Sequence, residues 1–122
     1  MTDSKQWQAV CTKADLVPDS GIAVWTEQGP VAVFWVPDVE PGLFALGHYD
    51  PIGRANVLAR GIVGDIKGEP VVASPLYKQH YSLRTGQCLE DEQARVPVYP
   101  VRLAGDRLEI DLAGQPPSEQ AA

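Results

Sequence analysis

Eleven glycines and eleven prolines are spread along a chain of 122 residues without clustering. Proline breaks a helix interior and glycine weakens one, so this spacing leaves no room for a long helix and cuts the chain into short segments. Between the breaks the runs are β-rich. Residues 7–11 alternate large and polar side chains and predict a first strand ahead of the Leu16-Val17-Pro18 corner. Residues 21–26 and 31–36, separated by Glu27-Gln28-Gly29-Pro30, predict a hairpin, and residues 43–47 a third strand of the same meander. Further on, 57–64 reads as irregular chain with one short turn, 65–68 as a turn, and 70–74 and 81–83 as strands. A hairpin with arms 101–103 and 108–112 around Gly105-Asp106 closes the pattern. Closely spaced short strands predict one all-β domain over residues 1–113, a sandwich or small barrel. Residues 114–122 have no periodicity and are expected to form a disordered tail.

Composition narrows the partner classes. Apolar residues make up 44% and charged residues 21%, so the chain is expected to fold. A formal charge of -6 leaves no basic surplus for a phosphate backbone, which argues against nucleic acid. The polar start, Met1-Thr2-Asp3-Ser4-Lys5-Gln6, is followed by no apolar run, so neither a signal peptide nor a spanning helix is expected, and the cytoplasm is the expected compartment with no membrane partner. Cys11 and Cys88 each lie beside apolar residues and read as reduced, mostly buried thiols. Trp7, Trp25 and Trp35 lie in strand-like runs and are expected in the core. No strand leads into a Gly-rich phosphate loop, so NADH is not expected on this chain.

Two segments carry more specific information: Asp50-Pro51-Ile52, and Ser74-Pro75-Leu76-Tyr77 running on through Lys78-Gln79-His80-Tyr81-Ser82-Leu83-Arg84-Thr85-Gly86-Gln87-Cys88. They resemble the two cluster loops of Rieske domains, where Cys-x-His and Cys-x-x-His hold a [2Fe–2S] cluster through two thiolates and two imidazoles. Many such loops read Cys-Pro-His and Cys-Pro-Trp-His, and the second continues through an aromatic, a leucine and a Thr-Gly turn. Pro51, Pro75, Tyr81, Leu83, Thr85 and Gly86 keep that frame. The four metal positions, however, fall on Asp50, Ile52, Ser74 and Tyr77. Ile52 has no donor atom and a serine hydroxyl is a poor substitute for thiolate, so no cluster is expected.

A Rieske frame without its ligands resembles the small subunits of assimilatory NADH-dependent nitrite reductases. The runs 73–81 and 86–93 and the start Trp7-Gln8-Ala9-Val10-Cys11 are similar to that family's signature, and the likeness covers residues 7–111. It implies a Rieske-like (ISP-type) antiparallel β-sandwich or barrel with a ligand-free, cluster-loop-like region at 48–86. It also implies a partner: a large subunit that carries FAD, siroheme and a [4Fe–4S] cluster, takes electrons from NADH, and reduces nitrite to ammonium. On this reading the chain holds no catalytic residue and no cofactor, and its enzymatic role comes from the complex.

With no cluster to shield, the tips Pro51-Ile52-Gly53 and Pro75-Leu76-Tyr77-Lys78 are the expected partner surface, an apolar patch rimmed by Lys78, Gln79 and Arg54. A competing reading packs Ile52 and Tyr77 on each other in the volume a cluster would fill. Glu90-Asp91-Glu92 reads as a solvated loop or as a steering patch for a basic surface. His48, His80 and Asp50 lack the short spacing of a metal site, and Cys88 with His80 lacks a third group for nucleophilic catalysis. Two other functions remain: a stand-alone binding or regulatory module on the same fold, and a Rieske-type ferredoxin with an unusual cluster. The missing ligands speak against the ferredoxin, and the family-like runs 74–81 and 88–93 against the stand-alone module.

Overall fold

The computed structural model describes residues 6–113, so the tail expected at 114–122 lies outside the described residues. Strand β1 (Trp7–Thr12) forms where expected but stands outside the meander, which is made of β2 (Ser20–Thr26), β3 (Gly29–Trp35) and β4 (Leu43–Gly47); β2 and β3 pair from Ser20↔Trp35 to Thr26↔Gly29 around a Glu27-Gln28 turn. Short strands β5 (Tyr49–Asp50) and β6 (Ala55–Asn56) flank the first loop. Strands β7 (Ile62–Ile66), β8 (Glu69–Ala73) and β9 (His80–Ser82) form an antiparallel sheet that frames the second. Finally β10 (Val98–Tyr99) adds to β4, and β11 (Val101–Ala104) pairs with β12 (Arg107–Asp111), which also pairs with β1.

The continuous apolar run in β3 is explained by burial on both faces. Val31 and Val33 pack with Ala45, Tyr99, Leu108 and Ile110 on one side, whereas Ala32 and Phe34 pack with Leu46, Leu58, Val72, Tyr81 and Leu83 on the other. The four-stranded sheet β10-β4-β3-β2 is therefore the middle layer, covered by β1-β12-β11 on one face and by β7-β8-β9 on the other. Each fully buried Val, Leu or Phe in these layers contributes about 1.5–3 kcal/mol of apolar transfer.

The structure corrects three expectations. Residues 57–64 are not irregular throughout: a 3-10 turn at Leu58–Arg60 is followed by β7, and the turn after it is only Lys67-Gly68, both at positive φ (51° and 87°). Two consecutive positive φ values fit the two-residue turn that matches strand twist, which places Asp65 and Ile66 inside the strand. Trp25 is not a core residue; it is 75% exposed, because Val24 and Thr26 take the inward positions of β2 and period-two alternation turns Trp25 outward. Trp7 and Trp35 are half-buried, and the Arg102 guanidinium stacks 4.0 Å from the Trp7 ring centre. Both cysteines are free, Cys88 buried and Cys11 half-buried, and burial pushes both thiols up.

Candidate functional site

The two loops are built to one plan. In Asp50-Pro51-Ile52-Gly53-Arg54 the Arg54 N–H donates to the Asp50 carbonyl at 2.7 Å; in Ser74-Pro75-Leu76-Tyr77-Lys78 the Lys78 N–H donates to the Ser74 carbonyl at 3.0 Å. The first side chain of each turn accepts from the N–H two residues on, Ile52 to Asp50 Oδ1 at 2.9 Å and Leu76 to Ser74 Oγ at 3.2 Å. Proline at the second position pre-sets the backbone for a turn. Each turn ends on a basic residue in the left-handed region, Arg54 at φ 59° and Lys78 at φ 65°. A non-glycine residue there costs on the order of 1 kcal/mol, which the surrounding hydrogen bonds must offset.

The twin turns interlock. A Cβ built on Gly53 would lie 2.5 Å from Leu76 Cδ1 and 2.9 Å from Asp50 Oδ2, so a side chain at 53 would displace the leucine that the second turn seats on the first, or press on the buried carboxylate. Beneath this contact Asp50 is fully buried, and its carboxylate accepts five donors. These are the Ile52 and Gly53 N–H groups (2.9 and 3.1 Å), Ser74 Oγ (2.6 Å), Tyr81 OH (2.8 Å) and Gln79 Nε2, which is 2.9 and 3.0 Å from the two oxygens. Gln79 Nε2 also lies 3.2 Å from Tyr81 OH, while Gln79 Oε1 is buried without a partner. Burial pushes the Asp50 carboxyl up, but the bonds from Ser74, Gly53, Tyr81 and Ile52 outweigh it and hold the group below its ordinary value. Burial and the adjacent carboxylate push the Tyr81 phenol well up, so it stays a donor.

The Rieske ligand positions can be tested against this geometry. Asp50 and Ser74, at the two thiolate positions, hydrogen-bond directly to each other. Ile52 is half-buried against the apolar cluster around Phe34, and Tyr77 is 68% exposed. Two oxygens in direct contact, an aliphatic side chain and a phenol pointing away do not fit a [2Fe–2S] core, which needs four convergent thiolate and imidazole donors. The exposure of Tyr77 also overturns the reading in which Ile52 and Tyr77 fill that volume together; Asp50, Ser74, Gln79 and Tyr81 fill it instead. Gln79, expected on the rim, is only 8% exposed and belongs to this buried cluster.

The other candidates have local roles. The neutral His48 ring accepts the Ala59 N–H at Nδ1 (3.1 Å) and its carbonyl accepts Val57 and Leu58, so it anchors the 3-10 turn; burial and then Arg60 lower its pKa. His80 Nδ1 lies 2.6 Å from Glu90 Oε2, away from any shared site with His48, and Cys88 Sγ sits 3.7 Å from Glu90 Oε1. Glu90-Asp91-Glu92 is exposed and lines an open groove with Lys67 and Glu69. Among the described residues, no group of three or more His, Cys, Asp or Glu side chains is arranged to hold a metal.

Fold and twin loops together are those of a Rieske-like domain, and residues 6–111 match the Rieske-like [2Fe-2S] domain family. The nitrite reductase (NADH) small subunit of Salmonella typhimurium strain LT2 is 40% identical over 98 residues, 80% of this chain and 90% of that protein. A crystal structure described as an NADH-dependent nitrite reductase small subunit from Mycobacterium tuberculosis gives a TM-score of 0.83 at 37% identity, covering 92% of this chain and 99% of that one. The chain belongs to the nitrite reductase (NADH) small-subunit family. A nitrite reductase [NAD(P)H] large subunit from Klebsiella oxytoca also matches, at 40% identity over 106 residues that span 86% of this chain and 11% of that protein.

Proposed function

We propose that this chain works as the small, non-redox subunit of an NADH-dependent nitrite reductase, in the cytoplasm, docked on a large subunit that reduces nitrite to ammonium with FAD, siroheme and a [4Fe–4S] cluster. The observation that carries this reading is the match along 90% of the length of a named small subunit. The Klebsiella match supports the partner: a segment like this chain occurs within a protein named as the large subunit, so the two can share one polypeptide at one copy each. The chemistry of the Rieske ligand positions agrees: Asp50, Ile52, Ser74 and Tyr77 stand where thiolates and imidazoles would hold a cluster, which suits a contribution through contact. The same comparison favours this role over a stand-alone binding module.

The contact surface we assign is the end formed by Pro51, Ile52, Gly53, Pro75, Leu76, Tyr77 and Lys78. Leu76 and Tyr77 are 44% and 68% exposed on the second of the two interlocking turns, an apolar and aromatic pair of the kind that anchors interfaces. Because Ile52 is half-buried against the core, Leu76→Ala with Tyr77→Ala is the cleaner probe. Truncating such anchors costs about 2 kcal/mol or more, so affinity for the purified large subunit should fall roughly thirtyfold. The control is Glu27→Ala in the β2–β3 turn. Wild-type binding by the folded double variant, with weakened binding by the control, would move the interface elsewhere.

A further inference from the structure

We propose that Asp50 is the positioning residue of the partner surface: its carboxylate is a built-in anionic ligand for five donors drawn from both turns and β9, and it fixes the two tips relative to each other. The inference rests on the docking surface proposed above. Its basis is where the donors come from. Ile52 and Gly53 N–H belong to the first turn, Ser74 Oγ to the second, and Gln79 Nε2 and Tyr81 OH to the chain leading into and along β9. One carboxylate therefore joins the first turn to the continuous stretch that holds the second turn and β9.

No cation shares this work. Among the described residues the ion pairs are His80–Glu90, Arg84–Glu69 and Arg102–Glu109, so dipolar donors alone satisfy the buried Asp50 charge. Donors that converge on both oxygens of a planar carboxylate make a small-anion receptor whose occupant happens to be tethered. Every donor belongs to the backbone or to another residue, so the receptor remains when the carboxylate is cut away. Leu76 on Gly53 is a contact between the tips that does not depend on the carboxylate.

The consequence is testable by supplying the anion from solution. In Asp50→Ala, association with the large subunit should weaken roughly tenfold or more, and sodium formate should return it to within roughly threefold of wild type. Formate should also raise the thermal midpoint of this variant and shift the Ile52 and Gly53 amide resonances. Sodium chloride at equal ionic strength should do neither, and wild type, whose receptor is filled, should not respond to formate. A variant whose midpoint and amides respond while its affinity stays poor would overturn the positioning role, and no formate response at all would overturn the receptor.

If Asp50→Ala does not fold even in formate, Tyr81→Phe decides. That ring is fully buried and cannot touch a partner, so a folded variant with roughly threefold or weaker affinity supports positioning, and wild-type affinity overturns it. The Leu76→Ala, Tyr77→Ala double variant, measured alongside, separates the two ideas: if it binds like wild type, the docking surface has failed, whatever formate does to the amides.

Discussion

Phe34 on β3 and the Asp50 carboxylate are equally closed to water, yet they are held by opposite means. Phe34 sits among Ala32, Leu46, Leu58, Val72 and Leu83, where any apolar group of suitable volume serves. Asp50 sits among oriented donors, where volume is secondary and both carboxylate oxygens are met by hydrogen bonds. An apolar cluster degrades in proportion to the atoms removed. A buried charge fails more abruptly, because losing it strands the groups that faced it.

Near-isosteric substitutions bring out that contrast. Asp50→Asn keeps the shape but turns an N–H₂ toward donors, and should cost about 3 kcal/mol or more in urea unfolding. Leu46→Met, in the apolar cluster, should cost less than about 1.5 kcal/mol. Equal losses would mean that the polar cluster is as forgiving as the core. Tyr81→Phe removes one bond to the ionised carboxylate and should cost about 1.5–3 kcal/mol, measured in the same way.

Acid supplies a second separation. The Asp50 carboxyl is held below its ordinary value of 3.8 in the folded chain. Its contribution is therefore fully present above that pH and lost as pH falls through the lower folded value. His48 is lowered from 6.5, so its neutral ring contributes fully above pH 6.5 and progressively less as pH falls below it. Stability measured from pH 7 to pH 2 should thus decline in two stages. Asp50→Asn should flatten the acid stage and leave the His48 stage unchanged; an unaltered acid limb in that variant would show that other carboxylates govern it. The smallest effect belongs to the exposed face of β2, where Trp25→Ser should change stability by no more than about 0.5 kcal/mol.

The strands with clear turns were the readable part of this chain. Residues 21–26 and 31–36 alternate or run apolar on either side of Glu27-Gln28-Gly29-Pro30, so type and pairing follow directly, although Gly29 and Pro30 belong to β3 and the turn itself is only Glu27-Gln28. β7 escaped because Gly61 directly precedes it, Gly64 interrupts it and Ile62 faces solvent at 72% exposure, leaving little of the inward pattern that marks a strand. Trp25 was misplaced because hydrophobicity alone does not say which face a residue takes; the inward positions of its neighbours Val24 and Thr26 do. At the site, the prolines and the polar residues before them marked both turns. Gln79 was not legible as Asp50's partner, since nothing local pairs positions 29 residues apart. The usable signal was the demand of a buried carboxylate for donors, which points to Gln79 and Tyr81 only once Asp50 is known to be inside.

The two basic residues that close the twin turns give the molecule a direction. Arg54 and Lys78 are exposed, and no ion pair among the described residues engages either, on a chain whose formal charge is -6. A negatively charged surface that nears the twin turns meets these two positive charges against the net negative charge of the chain, so the pair favours an approach with the turns foremost. Such fields raise productive encounter rates by roughly 10–10³-fold. The alignment acts only over about 8 Å at physiological ionic strength, so it orients the last approach and fades as salt is added.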